Sequence, residues 1–376
     1  MPDEALTLIC ADEAATDRLA ETLAMSVKSG DLILLDGDLG AGKTHLARAL
    51  VRALAADPVL EVPSPTFTLA QAYTGLPCGT VTHYDLYRLD TPEELEDLAL
   101  NDALLEGVAL VEWPQRGALR AEQASLAISI GIGEDDARQF MITGKPGPLQ
   151  RLHRSLAIRK FLNEQNMAGG SREHLTGDAS ARSYETIRRA DGSDIILMNA
   201  PASPDGPKLA NGKPYSATAR LAENMRAFEG VDRLLRDAGF RVPEIYASDL
   251  DAGLLLIEDL GTGSVLDDDG NPIRERYCAA VACLAAMHSK AWPDRVALSD
   301  GGTHIVPPYD TDAILIEVDL LAQWYAPDVL GQPLGPVEGQ SFVKLWQGLA
   351  EDMQGTERTL VLRDFHSPNI IWTGSV

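Results

Sequence analysis

Residues 37–44 read Gly37-Asp-Leu-Gly40-Ala-Gly42-Lys43-Thr44 and fit the pattern G-x-x-x-x-G-K-[ST]. The glycines let the backbone curl so that successive amides face inward, where they can cradle phosphate oxygens. In such a cradle Lys43 reaches the β- and γ-phosphates and the Thr44 hydroxyl ligates Mg2+, so the implied ligand is ATP with Mg2+. A plain glycine-rich turn is the alternative, and the apolar strand before it and the helix after it favour the phosphate loop. Three further clusters follow. Ser64-Pro-Thr66-Phe-Thr-Leu69 is a proline-stiffened segment that offers hydroxyls, as a phosphate-sensing loop would. His83-Tyr-Asp85-Leu-Tyr-Arg-Leu89 puts a carboxylate at a strand end, and Val108–Val111 ends at Glu112-Trp113-Pro114. Alone, Asp85 and Glu112 read as surface carboxylates; behind a phosphate loop they become candidates for holding magnesium and orienting water. Trp113 either stacks on adenine or plugs the core.

A second constellation stands near the end of the sequence, Val361-Leu-Arg-Asp364-Phe-His-Ser-Pro-Asn369. Asp and Asn five apart match the kinase-type D-x-x-x-x-N loop, in which Asp accepts the substrate hydroxyl proton and Asn ligates Mg2+. The pattern is weak alone. Its context strengthens it: RSYETIRR and DIILMNA flank a turn at 190–193, and the apolar strand Leu254–Ile257 ends at Glu258-Asp-Leu-Gly261. That segment would be a hinge whose backbone pairs with adenine. His288 fits a core-lining role as well as a functional one.

The elements that must position these residues alternate in the first part. A helix over 12–28, a strand at 31–37, a helix at 45–54, a strand at 80–89, a helix near 92–106 and a strand at 107–113 imply an α/β sheet with its ligand at the strand ends. Gly144-Lys-Pro-Gly-Pro148 is the best break, which divides the chain into domains 1–147 and 148–376. An amphipathic helix follows, with Arg151, Arg154, Arg159 and Lys160 expected on a solvated face. Hairpin strands and then helices at 217–238, 272–290 and 311–325 predict a small sheet followed by a helical region.

Composition narrows the function. The 376 residues carry 32 Lys+Arg against 56 Asp+Glu, a formal charge of −24, which argues against a broad surface for nucleic acid or anionic lipid. A hydrophobic share of 45% permits real cores. Four cysteines make no disulfide framework, and Cys278 and Cys283 are poorly spaced for a metal, so buried or incidental thiols are expected. No signal peptide or membrane-spanning run is evident, so a cytoplasmic protein with no membrane contact is expected.

Over roughly residues 5–145 the set GDLGAGKT, SPTFTL, HYDLYRL and EWP, in that order, resembles the TsaE family, the ATPase subunits of the bacterial machinery that makes threonylcarbamoyladenosine beside the tRNA anticodon. The resemblance implies a P-loop NTPase fold in which Gly37, Gly40, Gly42, Lys43 and Thr44 bind phosphate and metal. Thr66 would belong to a nucleotide-responsive loop, Asp85 and Glu112 would serve magnesium and hydrolysis, and Trp113 would lie near the base. It also implies two partner subunits of the TsaB/TsaD kind, with tRNA reached indirectly through them.

Residues 150–376 resemble the aminoglycoside phosphotransferase superfamily, closest to anomeric amino-sugar kinases of the AmgK type, through GDASARSY (177–184), LMNAP (197–201), LLLIEDLG (254–261), PPYD (307–310) and RDFHSPNIIW (363–372). This implies a protein-kinase-like α+β domain with Asp364 as base, Asn369 as metal ligand, Gly177, Ser180 and Arg182 in the loop over the ATP phosphates, and Glu258 in the hinge. The implied acceptor is N-acetylmuramate or N-acetylglucosamine. Leu362 departs from the histidine usual in H-x-D, so loop anchoring is expected from packing. The LMNAP strand lacks the usual phosphate-pairing lysine, and the sequence stops seven residues after Asn369, before a second metal-binding aspartate. The expectation is therefore a kinase-like domain lacking its C-terminal part, with weak or no sugar kinase activity. The competing readings are a nucleotide-gated assembly switch without independent catalysis, and a second domain that acts on another small hydroxylated substrate or is a pseudokinase.

Overall fold

The architecture is that of a computed structural model describing residues 5–175, 182–201, 212, 214–221 and 224–374. The first ten elements are β1 (Leu6–Cys10), α1 (Glu13–Ala24), β2 (Leu32–Asp36), α2 (Lys43–Ala55), β3 (Ala70–Leu76), β4 (Gly79–Asp85), α3 (Leu100–Glu106), β5 (Gly107–Glu112), β6 (Leu126–Ile132) and β7 (Arg138–Gly144). Their seven strands form one sheet in the order β1-β7-β6-β2-β5-β4-β3. β2 lies parallel between β5 and β6, and β4 runs parallel to β5. The pairs β1–β7, β6–β7 and β3–β4 are antiparallel.

Strand periodicity sorts the apolar runs onto two faces. Ile33, Leu35 and Leu110 face one core with Leu23 of α1 and Leu46 and Leu50 of α2. Leu34, Val111 and Tyr84 face the other with Ala103 of α3. Burial on both faces is why β2 and β5 are continuously apolar. The helix expected at 92–106 is instead a 3-10 segment, Pro92–Leu98, followed by α3, because Ala99 between them is left-handed at φ 50°. β1, β3, β6 and β7 were not anticipated.

α4 (Pro146–Glu164) begins at the expected break, yet Leu149 and Leu152 join the core beneath α1 and α2. The first compact unit accordingly comprises Met1–Asp178 with Tyr184–Ile195, and the second comprises Ala179–Ser183 with Ile196–Val376. The basic residues of α4 are not one solvated face. Lys160 is exposed, but Arg151 pairs with Asp31, and Arg159, 9% exposed, pairs with Glu21 of α1. Next come β8 (Ser171–Leu175) and β9 (Ser183–Arg188), paired antiparallel. Arg172 of β8 is fully buried and donates from Nε and Nη2 to the two Glu185 oxygens at 2.7 and 2.8 Å. Its Nη1 donates to Ser155 Oγ of α4 at 3.0 Å.

β10 (Asp194–Asn199), α5 (Tyr215–Ala219), α6 (Met225–Asp237), β11 (Ile245–Asp249), β12 (Leu254–Glu258), α7 (Arg274–His288), β13 (Arg295–Ala297), β14 (Thr303–Ile305), α8 (Thr311–Leu320), α9 (Ala326–Leu330) and α10 (Pro336–Met353) complete the chain. β11 and β12 pair antiparallel. The fold is thus mixed α/β, a sheet-rich first part followed by a smaller sheet and helices. Cys10 and Cys78 are buried, whereas Cys278 and Cys283 are exposed and free. Among the described residues no helix is long and apolar enough to cross a membrane.

Candidate functional site

The loop from β2 to α2 carries the glycine motif. Gly42 caps α2 at φ 109°, a conformation that a side chain resists. Gly37 has φ 146°, and a Cβ there would come within 2.5 Å of the Ile130 carbonyl oxygen. Gly40 stands exposed between them. Lys43, at the first turn of α2, is 4% exposed. Its Nζ donates to Gly37 O at 2.7 Å and Asp38 O at 2.9 Å, and lies 3.7 Å from the centre of the Trp113 ring. Burial pushes the ammonium below its ordinary lysine value, against the opposing pull of Glu112, Asp36, Asp85 and Asp38. Trp113 is half-buried and left-handed at φ 55°, rare for a bulky residue, and packs on Tyr87 with centroids 5.0 Å apart. In this arrangement it serves Lys43 as a cation–π platform, a role that neither sequence alternative anticipated.

Asp85 and Glu112 end adjacent parallel strands and are register partners. Both are buried, at 3% and 1% exposure. They are therefore not surface carboxylates. Thr44 Oγ1 donates to Glu112 Oε2 at 2.9 Å, and Glu112 Oε1 lies 2.8 Å from Nε2 of His83. Asp85 Oδ2 accepts from Ser64 Oγ at 2.9 Å and Thr66 Oγ1 at 2.6 Å, while Oδ1 accepts the Tyr87 amide at 3.1 Å. The fold thus brings Lys43, Thr44, Thr66, Asp85, Glu112 and Trp113 to one end of the sheet. Sequence reasoning gave His83 no role, although its place two residues before Asp85 on the same strand face was a readable signal.

Among the described residues no three His, Cys, Asp or Glu side chains form a cluster able to hold a metal. The donor set still suits Mg2+, which keeps several waters and takes one or two carboxylates plus phosphate oxygens. Thr44 donates its proton to Glu112, which leaves the hydroxyl lone pairs for a cation.

In the second part, Gly177 and Ser180 lie outside the described residues, and Arg182 lies just before β9. The Glu258 carboxylate is occupied: Arg241 donates to both of its oxygens, at 2.5 and 2.9 Å, and the Glu244 amide donates to Oε2 at 3.0 Å. The Arg241 hydrogen bond, with the Glu244 amide next, holds this carboxyl below the usual range. The Glu258 amide itself donates to Glu244 O at 2.8 Å. Asp364 and Asn369 are brought onto one exposed turn, where Asn369 Nδ2 donates to Asp364 O at 3.0 Å. Leu362 packs on a cluster of Leu235, Met287 and Leu360. Polar anchoring comes from Arg363, left-handed at φ 62°, which donates to Ala219 O at 2.5 Å and pairs with Glu317. Nothing in the residue spacing pointed to that pair.

Comparisons with known proteins give two matches along the chain. Residues 10–140 match the family model of threonylcarbamoyl adenosine biosynthesis protein TsaE, and residues 172–376 match that of the phosphotransferase enzyme family. Similar curated proteins include the TsaE protein of Rickettsia felis, 43% identical over 29% of this chain and 62% of the relative. The TsaE protein of Rickettsia bellii is 34% identical over 35% of this chain and 91% of its own length. The N-acetylmuramate/N-acetylglucosamine kinase of Caulobacter vibrioides is 29% identical over 58% of this chain and 62% of its own. The chain therefore spans about 60% of the length of the first relatives it matches.

Proposed function

Residues 10–140 belong to the TsaE family and residues 172–376 to the phosphotransferase enzyme family, and from that premise we propose that the first part is a P-loop ATPase supporting threonylcarbamoylation of the tRNA adenosine next to the anticodon. Both memberships are to enzyme families. The observation that carries the proposal is the convergence of Lys43, Thr44, Asp85 and Glu112 where α2 begins and β4 and β5 end. Loop amides and Lys43 would hold the phosphates, and Thr44 and Glu112 would hold Mg2+. The bound cation would neutralise charge on the phosphate oxygens. Thr66 and Ser64, which donate to Asp85, would exchange that partner when nucleotide arrives. Trp113 would border the nucleotide from its position over Lys43. Partner subunits of the TsaB/TsaD kind would make the tRNA contact, in keeping with a net charge of −24. A cytoplasmic location goes with that role.

We further propose that the second part handles ATP and an amino-sugar hydroxyl, with Asp364 as base and Asn369 as metal ligand. The functional domains are taken as 1–147 and 148–376. With no lysine in the LMNAP strand, turnover is expected to be weak; in a panel of amino sugars with radiolabelled ATP, phosphorylation abolished by Asp364→Asn supports the proposal, and turnover unaffected by that change refutes it.

Lys43→Ala tests the first part. The expected result is loss of ATP binding and of tRNA modification in a reconstituted system; wild-type behaviour overturns the assignment. One observation favours a second reading, a nucleotide-gated assembly switch. Lys43 and Thr66 both donate to the protein's own oxygens, contacts that a phosphate would have to displace before turnover. ATPase rates with and without partner subunits separate the two.

A further inference from the structure

We propose that His83 is a positioning residue for Glu112, setting the carboxylate that, with Thr44, is to receive the divalent cation; this rests on the nucleotide-binding reading above. His83 is fully buried, and so is its partner, at 0% and 1% side-chain exposure. β4 pairs His83 with Leu110 of β5, and Asp85 with Glu112, so His83 and Glu112 are diagonal neighbours on one sheet face. That face meets α2, whose first turn supplies Thr44.

The hydrogen bonds run in one direction. A carboxylate offers no proton, so the 2.8 Å contact requires Nε2 of His83 to donate to Glu112 Oε1. That fixes one oxygen and leaves Oε2 to accept from Thr44 at 2.9 Å. Rotation of the carboxylate would break both bonds at once. Thr44 is thereby kept donating to Glu112, with its hydroxyl lone pairs left for a cation.

Packing does not explain the histidine. Its Nδ1 is buried and has no partner among the described residues. A buried polar atom left unpaired costs about 1–3 kcal/mol, so a leucine would suit an apolar sheet face better. The ring's polar contact at this place is with Glu112, and it trades one unsatisfied nitrogen for a fixed carboxylate. Residues that orient a metal-binding group in this way commonly change metal affinity by about 10–100-fold when replaced.

The test uses the full chain and equilibrium binding of ADP and ATP, each in EDTA and in excess Mg2+. The Mg2+-dependent gain in affinity is the readout, since a general loss of fold would weaken binding in both media. His83→Leu fills the site without a donor, and His83→Gln can reach Glu112 with its amide nitrogen. Expected is a fall of about 10-fold or more in the Mg2+ gain for His83→Leu, near-normal binding in EDTA, and recovery of most of the gain in His83→Gln. Thermal unfolding confirms that both variants are folded. If both variants keep the wild-type gain, or His83→Gln is as poor as His83→Leu, the positioning role is wrong. If the wild-type chain binds no nucleotide in either medium, the underlying reading fails and this inference with it. Lys43→Ala, expected to weaken binding in both media, marks the difference between the two failures.

Discussion

Arg172→Met should be the most destabilising single change in the first compact unit outside its apolar core. The Arg172 guanidinium is fully buried, and the Glu185 carboxylate it grips bidentately is 8% exposed. Removing one partner of such a pair strands the other charge, at about 3–5 kcal/mol. For a unit of this size each kcal/mol is about 2–4 °C, so the transition should fall by about 10 °C. Beside it, Arg159 is pushed down to about 10 by burial and then by Arg172, so it is still charged at neutral pH. The double variant Arg172→Met with Glu185→Gln removes the stranded charge and should recover at least about 2 kcal/mol, since buried pairs exchange for uncharged residues at little net cost. Hydrogen exchange of peptides covering α1, α4, β8 and β9 locates the loss, and urea unfolding gives its size. A single-variant cost under about 1 kcal/mol, or a double variant no better than the single, would refute the buried-pair account.

Three further outcomes are expected. Thr66→Val removes the 2.6 Å hydrogen bond to Asp85 and should speed exchange of the 64–69 amides in the nucleotide-free chain, with a stability loss of about 1–2 kcal/mol by urea unfolding. Gly42→Ala forces a side chain to φ 109° at the cap of α2, so it should cost about 1–2 kcal/mol in the same measurement and impair nucleotide binding. Asp310 caps α8 and accepts from Arg220 at 2.6 Å; burial raises its carboxyl, but Arg220 and the Ala313 amide outweigh it and hold the carboxyl low. A depressed native value means that this stabilisation is complete above the unfolded value of about 4 and is lost as pH falls through the native one. Between pH 6 and pH 3 the urea midpoint of wild type should therefore drop further than that of Asp310→Asn.

The candidate site was legible where chemistry is contiguous in the chain. Gly37 to Thr44 announced their own loop, Asp85 stood at the end of an expected strand, and Glu112 stood at the end of an apolar one. Their burial was not legible, because it depends on Thr44, His83 and Thr66 arriving from elsewhere. The edge strands were missed for a related reason: β1 and β3 alternate weakly and are only partly buried, so their pairing, not their composition, makes them strands. Arg159 shows the limit most clearly. An arginine on an amphipathic pattern looks solvated until its acid is known, and Glu21 lies 138 residues from Arg159. The first compact unit also runs past the expected break, since α4 and β8 are tied to α1 through Glu21.

The charges around Lys43 lead to one more outcome. Glu112, Asp36, Asp85 and Asp38 all act on this ammonium. Two unit charges about 8 Å apart, at an effective dielectric constant near 20, interact by about 2 kcal/mol. A triphosphate entering this site on its own would meet several such repulsions with one lysine and the loop amides to offset them. The acidity around Thr44 and Glu112 would therefore make a divalent cation a large part of the affinity. Expected is ATP affinity at least about 100-fold weaker in EDTA than in Mg2+, a difference of about 2.7 kcal/mol. Glu112→Gln should narrow that ratio from both sides, by easing the repulsion in EDTA and weakening the cation's hold in Mg2+. Equal affinities in the two media, or a ratio unmoved by Glu112→Gln, would mean that the phosphates do not lie against these carboxylates.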